Sequence, residues 1–178
     1  MEDIKILDKS FKIFLTEKQI QEKISSIAKR LNNKLTNKKP IFISILNGSF
    51  MFASDLYKQI TVPSIITFLK LASYEGTKST EKTKLLIGIN EVLENKTIVI
   101  IEDIIDTGIT INDIVEQLKK YKPKEIIITT LLFKPETYNK NINIDYYAFK
   151  IPDNFIVGYG LDYNGFGRNL TDIYTIKN

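Results

Sequence analysis

The fold is decided by one stretch, Ile98-Val99-Ile100-Ile101-Glu102-Asp103-Ile104-Ile105-Asp106-Thr107-Gly108-Ile109-Thr110. Its unbroken run of β-branched residues predicts a strand that is buried on both faces of a parallel sheet. Apolar side chains then return at helical spacing, which predicts an amphipathic helix. These side chains are Ile111, Ile114, Val115 and Leu118. The stretch therefore predicts a strand, a short polar loop and a helix, with acidic residues where the strand ends.

The polar loop after this strand has the composition of an anion-binding site. Backbone N–H groups of a tight loop and of a helix N-terminus favour a phosphate. Glu102 and Asp103 can hold ribose hydroxyls or a cation shared with phosphates. An alternative is that Asp106, Thr107 and Thr110 only cap the helix, as Asp and Thr commonly do. Capping does not account for two adjacent acids at the end of a buried strand, so we expect a phosphorylated ligand here.

Composition narrows the class of protein. The chain has 178 residues, of which 43% are hydrophobic and 26% charged, and these values fit one α/β domain with a substantial core. The absence of cysteine excludes disulfides and thiolate metal sites. The absence of histidine leaves carboxylates, lysines and tyrosines for acid–base chemistry.

Charge and hydropathy predict a soluble protein. The net charge is +4 and glutamates lie among the lysines, which is typical of solvated faces rather than of a nucleic-acid groove. The sequence has no apolar run of the roughly 18 residues that a membrane helix needs, and its N-terminal region lacks the apolar core of a signal peptide. We expect a cytoplasmic protein with neither nucleic acid nor a membrane as its partner.

The rest of the chain alternates predicted helices with predicted strands. Thr16 and Gln19 resemble a capping box, and the helix behind them has the apolar stripe Ile20, Ile24, Ile27, Leu31 and Leu35. The other predicted elements are an edge strand or arm over 1–15, a helix over 50–59, and strands over 41–46, 65–71, 85–89, 125–132 and 145–149. Such alternation predicts a mostly parallel sheet that is covered by helices on both faces.

Ligands of such sheets bind beyond the carboxyl ends of the strands. We therefore expect the polar strand ends to share one rim; they are Asn47-Gly48, Ser73-Tyr74, Glu102–Thr110, Lys134 and Asp162. The segment from Ser73 to Lys84 is polar and threonine-rich, with no helical or alternating pattern. A loop of this length in a compact domain is usually functional or disordered.

Two motifs resemble a known family. The stretch 98–110 is similar to the 5-phosphoribosyl 1-pyrophosphate (PRPP) signature of the type I phosphoribosyltransferases, in the Glu-Asp-Ile-Ile-Asp-Thr-Gly form of the hypoxanthine–guanine branch. The second strong match is 151–163, Ile-Pro-Asp-Asn-Phe-Ile-Val-Gly-Tyr-Gly-Leu-Asp-Tyr. Weaker matches at 46–52, 73–74 and 131–135 stand in the family's order, and the resemblance covers the chain from about Thr16 to Tyr174. Asn47 departs from the basic residue of the family, and Phe133 from the Asp of bacterial members.

The resemblance implies both a fold and an activity. The fold would be α/β, with a mostly parallel central sheet flanked by helices. Residues 1–178 would form a single phosphoribosyltransferase domain with a flexible active-site loop at about 73–84 and a small hood from about 1–15 and 150–178. The activity would be that of a purine-salvage transferase, which converts hypoxanthine or guanine plus PRPP to IMP or GMP plus pyrophosphate, with Mg²⁺ as cofactor. The enzyme would be a homodimer or homotetramer.

The resemblance also implies a role for each site residue. Asp106 would be catalytic and take the proton of the purine. The residues for PRPP and its 5′-phosphate would be Glu102, Asp103, Asp106, Thr107, Gly108, Ile109 and Thr110. Those for pyrophosphate would be Asn47, Gly48, Ser73, Tyr74 and Arg168. The purine would contact Lys134, Phe155, Ile156 and Asp162, and the metal would contact Glu102, Asp103 and Asp162.

One further expectation and two alternatives come with this interpretation. The resemblance predicts a cis peptide bond between Asn47 and Gly48, which would turn a backbone N–H toward pyrophosphate. One alternative is a regulator that senses PRPP without catalysis; the base-binding set of Lys134, Phe155 and Asp162 and the lack of a DNA-binding helix pair speak against it. The other is a phosphoribosyltransferase for a different base.

Overall fold

The computed structural model describes residues 3–72, 84–87 and 90–177. The described elements, in chain order, are β1 (Ile4–Ile6), β2 (Lys9–Leu15), α1 (Glu17–Leu35), β3 (Ile41–Leu46), α2 (Phe50–Tyr57), β4 (Ile65–Ala72), β5 (Lys84–Ile87), β6 (Thr97–Ile105), α3 (Ile109–Lys119), β7 (Glu125–Phe133), β8 (Tyr146–Lys150), β9 (Ile156–Val157) and β10 (Ile173–Ile176).

The larger sheet has the strand order β5-β4-β3-β6-β7-β8. Its five strands from β4 to β8 are parallel, and only β5 pairs antiparallel, with β4. The β-branched run of β6 lies between β3 and β7, and its residues from Ile98 to Ile101 are fully buried. The prediction of a mostly parallel α/β sheet is therefore confirmed.

Helices cover both faces of this sheet. Alternate residues of β6 point to opposite faces, so each set packs against different helices. Val99 and Ile101 pack in one core with α1 and α2, whereas Ile98 and Ile100 pack in a second core with α3. The helix α1 begins at the predicted capping box, in which Thr16 and Gln19 bond each other's backbone, and all five residues of its predicted stripe are buried. Among the described residues, no helix combines the length and apolar character needed to cross a membrane.

A second, smaller sheet joins the two ends of the chain. Its strand order is β1-β2-β10-β9 and all its pairs are antiparallel. Phe11, Val157 and Tyr174 form its buried apolar centre. Its strands come from N- and C-terminal segments that lie within the two ranges predicted for a hood, and we call it the hood sheet.

Most predicted elements agree with the structure to within two residues. The helix expected over 50–59 ends at Tyr57, and the strand expected over 85–89 is described from Lys84 to Ile87. Ser73 and Tyr74, with most of the predicted loop, lie outside the described residues.

Candidate active site

The central strand β6 ends in two adjacent carboxyl groups, of which Glu102 is buried and Asp103 is half-buried. Glu102 is 7% exposed, and its Oε2 has no hydrogen-bond partner among the described residues. Burial and then the neighbouring charge of Asp103 raise the pKa of Glu102 well above its usual range. Burial also raises the pKa of Asp103, although its Oδ1 accepts the Ile104 N–H at 2.8 Å. Two such groups favour a ligand that brings positive charge or hydroxyl donors.

The loop that follows these acids is an open cradle of backbone N–H groups. Gly108 is the N-cap of α3 at φ +83°, and no side chain caps the helix, which argues against the simple capping alternative. A Cβ at Gly108 would lie 2.4 Å from the ring of Tyr138, so that a side chain does not fit. A cavity of about 310 Å³ is lined by the continuous run from Glu102 to Ile111. The first N–H groups of a helix lack intrahelical acceptors and carry its positive dipole end, so this cavity suits an anion.

A glycine brings the end of β3 against the acids of β6. A Cβ at Gly48 would lie only 1.4 Å from Asp103 Oδ2, so the close approach requires glycine. The cis peptide bond is between Leu46 and Asn47. The expectation of a cis bond between Asn47 and Gly48 was therefore wrong by one residue. The bond lies where the chain leaves β3, which ends at Leu46.

The loop after β9 closes against the same glycine. Gly160 has φ +99°, and a Cβ there would lie 2.0 Å from the Gly48 carbonyl oxygen. Arg168 donates to the Gly160 carbonyl at 2.7 Å and pairs with Asp162 at 2.5 Å. The second oxygen of Asp162 accepts the Gly165 N–H at 2.7 Å. This loop thus brings one cation and one carboxylate beside the Gly48–Asp103 contact.

At the end of β7, Lys134 lies between two carboxylates. Its Nζ is 3.0 Å from Asp106 Oδ2 and 2.6 Å from Asp153 Oδ1. Burial opposes the charged form of Lys134, but the bonds from Asp153 and Asp106 outweigh it and raise its pKa. Burial alone would raise the pKa of Asp106, but the hydrogen bonds that its carboxylate accepts from Thr137 and Lys134 hold this pKa below the usual value. Both groups are therefore ionised at neutral pH.

The hood contributes an aromatic ring and a strand edge. Phe155 is 47% exposed, and its ring centroid lies 5.7 Å from that of Tyr163. Its carbonyl accepts the Ile176 N–H at 3.2 Å. Hydrogen-bonded and non-bonded pairs alternate in an antiparallel ladder, so the next pair, Ile156 with Thr175, is the non-bonded one. The polar backbone groups of Ile156 therefore face away from β10, toward the open edge of the hood sheet.

Comparison with known proteins agrees with this geometry. The model of the phosphoribosyl transferase domain family matches residues 11–164. The chain belongs to the phosphoribosyltransferase family. It is 40% identical over 166 residues to a hypoxanthine-guanine phosphoribosyltransferase of Staphylococcus aureus, covering 93% of each chain. These findings place it in the family that the motifs predicted.

Solved structures give the same result. A crystal structure of a hypoxanthine phosphoribosyltransferase from Staphylococcus aureus superposes with a TM-score of 0.88 at 40% identity, covering 93% of this chain and 91% of that one. A hypoxanthine-guanine phosphoribosyltransferase from Bacillus anthracis gives 0.87 at 35% identity, covering 94% of this chain and 97% of that one. The chain thus has the type I phosphoribosyltransferase fold.

The predicted rim of this phosphoribosyltransferase is largely assembled by direct contacts. The structure joins Gly48 to Asp103 and to Gly160, and it joins Lys134 to Asp106. Asn47 is exposed next to this contact. The two predicted pyrophosphate residues of the long loop, Ser73 and Tyr74, lie outside the described residues.

Sequence reasoning missed two residues that the structure joins to the site. Asp153 pairs with Lys134, and the signal was its position just beyond a strand that neighbours the lysine's own strand. Tyr159, buried at φ +49° between two glycines, donates to Asp55 Oδ2 at 2.5 Å. It thereby fastens the loop that carries Gly160 to α2, and no sequence signal links positions so far apart in the chain.

The residues at the end of β6 fit a divalent cation shared with a substrate. Among the described residues, no group of three or more acidic side chains is arranged so that it could hold a metal ion by itself. Mg²⁺ is usually held by one or two carboxylates, and phosphate oxygens and water complete its shell. The unpartnered Oε2 of Glu102, next to Asp103, therefore provides a donor set of the expected kind.

Proposed function

We propose that this protein is a hypoxanthine–guanine phosphoribosyltransferase of purine salvage, which forms IMP or GMP and pyrophosphate from the base and PRPP. One observation carries the proposal: a continuous run, Glu102–Ile111, lines a cavity with two adjacent acids at one end and an open helix N-terminus at the other. This arrangement matches a ribose 5-phosphate, since the acids suit its hydroxyls and the N–H groups suit its phosphate.

At the ribose end, Glu102 and Asp103 would bind the ribose hydroxyls, directly or through Mg²⁺. The 5′-phosphate would lie in the loop from Asp106 to Thr110, whose N–H groups need no side-chain cation to bind it. Asp162 would be a further contact to the metal. When bound, Mg²⁺ would stabilise the negative charge that develops on the leaving pyrophosphate.

At the leaving-group end, Arg168 would bind pyrophosphate together with the backbone at Asn47 and Gly48. Arg168 is already oriented by Asp162 and by the Gly160 carbonyl, so that little reorganisation is needed. Ser73 and Tyr74 would close over pyrophosphate and exclude water, as active-site loops do. The segment at about 73–84 is proposed to be this flexible loop.

At the base end, Phe155 would stack on the purine, and the free backbone groups of Ile156 would hydrogen-bond its edge. Lys134 would donate to the 6-oxo oxygen. As the bond from the base nitrogen to C1′ forms and the bond from C1′ to the pyrophosphate oxygen breaks, Asp106 would accept the proton that the purine loses. Asp106 suits this role because it is ionised and adjoins Lys134.

The decisive experiment is a turnover assay of the purified chain with PRPP, Mg²⁺ and hypoxanthine, guanine, xanthine, adenine and uracil in turn. We expect IMP and GMP from the first two bases, and no product when EDTA removes the metal. PRPP binding without nucleotide formation from any of these bases would refute the proposal and favour a PRPP-sensing regulator.

The proposal extends to the organisation and location of the enzyme. Residues 1–178 would act as one domain, with the hood from about 1–15 and 150–178 over the base. We propose a homodimer or homotetramer on the family resemblance, and light scattering after gel filtration measures it. A cytoplasmic location fits a substrate as highly charged as PRPP, which does not cross a bilayer unaided.

A further inference from the structure

The ammonium group of Lys134 is held by a carboxylate that has no role so far. Asp153 Oδ1 is 2.6 Å from Lys134 Nζ and thus closer than Asp106 Oδ2, at 3.0 Å. The lysine side chain is only 9% exposed, whereas that of Asp153 is 60% exposed. Isolated surface ion pairs contribute little to stability. The pair of Asp153 with Lys134 differs from such surface pairs, because its ammonium is buried. A carboxylate bound to a buried ammonium restricts the directions in which the ammonium can point.

The backbone fixes both carboxylates relative to the lysine. The Lys134 N–H donates to the Ile105 carbonyl at 2.9 Å, and Asp106 is the next residue. On the other side, the Ile151 N–H donates to the Phe133 carbonyl at 2.9 Å, and Asp153 follows two residues later. The two neighbours of β7 in the sheet thus each deliver one carboxylate to the same ammonium. The pairing of β6, β7 and β8 therefore places both carboxylates within reach of the same ammonium.

We propose that Asp153 is a positioning residue, which together with Asp106 binds two of the three N–H groups of Lys134 and so directs the third toward the 6-oxo oxygen of the purine. This inference rests on the proposed function. An ammonium group has three donors at tetrahedral angles and no acceptor. Fixing two of them fixes the direction of the third. The base then meets an oriented donor rather than a freely rotating one.

Asp153 also weakens the electrostatic effect of Lys134 on Asp106, because its own negative charge lies beside the same ammonium. The charged groups that face Lys134 are Asp106 and Asp153, and Asp106 also interacts with Thr137. Without Asp153, the whole ammonium charge would act on Asp106 and would hold its proton affinity lower. Asp106 would then be a weaker base toward the purine. Asp153 thereby affects proton transfer without touching the substrate.

Two variants separate these effects. Asp153→Asn keeps an oxygen acceptor at the same place but removes the charge, whereas Asp153→Ala removes both. The matched control is Glu116→Gln, which neutralises another exposed carboxylate paired with a lysine, at 2.7 Å from Lys119 on α3. Because Asp153 is exposed, both variants should fold, and far-UV circular dichroism with thermal melting checks this.

We expect Asp153→Ala to raise KM for hypoxanthine by about 5- to 30-fold, as for the loss of one or two kcal/mol of orientation, with KM for PRPP within about twofold. Asp153→Asn should leave KM for hypoxanthine within about threefold but move the acidic limb of the kcat/KM profile to lower pH by roughly 0.5–1 unit. If Asp153 had only a structural role, neither the ratio of KM for hypoxanthine to KM for PRPP nor the pH profile of kcat/KM would change.

The inference is overturned if both Asp153 variants match Glu116→Gln within about twofold in KM, kcat and the acidic limb. A readout without turnover separates it from the proposed function. In protein labelled with ¹³C at the lysine Cε, the Lys134 signal, assigned with Lys134→Met, should shift in Asp153→Asn and remain in place in Glu116→Gln. A wild-type chain that makes no nucleotide defeats the proposed function, whereas an unshifted Lys134 signal defeats only the role of Asp153.

Discussion

Glu102 and Lys134 are equally buried, each at 7% exposure, yet their surroundings are opposite. Lys134 has two carboxylates on its ammonium, whereas one oxygen of Glu102 has no partner among the described residues and its closest charged neighbour is another acid. A buried charge without compensation costs several kcal/mol, while a paired one costs far less. The end of the site around Lys134 is therefore assembled before any ligand binds. At the other end, one oxygen of Glu102 has no partner among the described residues, so a ligand or cation can supply one.

In the proposed mechanism, this difference gives the two ends separate tasks. The paired end holds a donor and a base in fixed positions, which is what recognition of a planar heterocycle and transfer of a proton require. The unpaired end offers Glu102 beside Asp103, and this pair favours a cation that a polyanionic substrate brings with it. Four predictions test this contrast, beginning with the largest expected effect.

Removing the base from the paired end should have the largest effect. Asp106→Asn keeps the shape of the loop but cannot accept the purine proton, so kcat should fall by roughly 10²–10⁴, the usual contribution of a general base. Affinity for IMP should change little, because the amide still accepts a hydrogen bond from Lys134. Steady-state kinetics and calorimetric titration with IMP measure the two quantities. A kcat near the native value would reduce Asp106 to a structural residue of the loop.

The donor of the paired end should select among bases. Lys134 can satisfy the 6-oxo oxygen of hypoxanthine or guanine, but the 6-amino group of adenine presents a second donor, and a site built around one hydrogen bond discriminates by roughly 10⁴ or more. We expect adenine to be at least a thousandfold poorer in kcat/KM, or roughly 4 kcal/mol. Stacking on Phe155 adds little, since every purine has a face.

Competition assays with both bases measure this ratio. Lys134→Ala should reduce it chiefly by slowing the 6-oxopurines, whereas Lys119→Ala, which removes an exposed lysine of α3, should leave it unchanged. If adenine turned over within tenfold of hypoxanthine in the native chain, the role of Lys134 would have to be abandoned.

Removing the charge of Glu102 should stabilise the fold but weaken the binding of PRPP. Gln at position 102 resembles the protonated form that burial already favours, and its amide can donate to Asp103. We expect Glu102→Gln to raise the free energy of unfolding by roughly 1–3 kcal/mol, the cost of an unsatisfied buried group, in urea titrations with EDTA. The same substitution should weaken PRPP binding. A loss of stability would show that Glu102 is already well compensated in the free protein.

The local parts of this architecture were predictable because neighbouring residues decide them. The β-branched run of β6, the capping box at Thr16 and the stripe of α1 depend on contacts within one element or on one buried face, and all agree with the structure. The Lys134–Asp153 contact depends on how β7 and β8 pair. The approach of Gly160 to the Gly48 carbonyl likewise joins segments more than 100 residues apart. Such contacts join distant segments and leave no periodic signal in the sequence.

The smallest effect should come from Glu125, a carboxylate that is paired with two lysines as Lys134 is paired with two carboxylates. Glu125 lies 2.7 Å from Lys38 and 3.1 Å from Lys34. The Lys38 hydrogen bond leads the causes that lower its pKa below the ordinary 4.5. A lowered pKa means that its contribution to stability is complete above the unfolded value and is lost as the pH falls through the folded value. Glu125→Gln should therefore cost up to about 1 kcal/mol at neutral pH, the upper range for a partly exposed pair.

Paired urea titrations of the native chain and Glu125→Gln, near neutral pH and again well below 4.5, isolate this contribution, because the other carboxylates titrate alike in both proteins. The difference should shrink in acid, and also in high salt at neutral pH, where partly exposed charges are screened. A difference that stays the same in acid would mean that Glu125 acts through packing rather than charge. The contribution of a paired carboxylate to the free energy of unfolding would then have to be measured at another ion pair before it could be compared with that of Glu102.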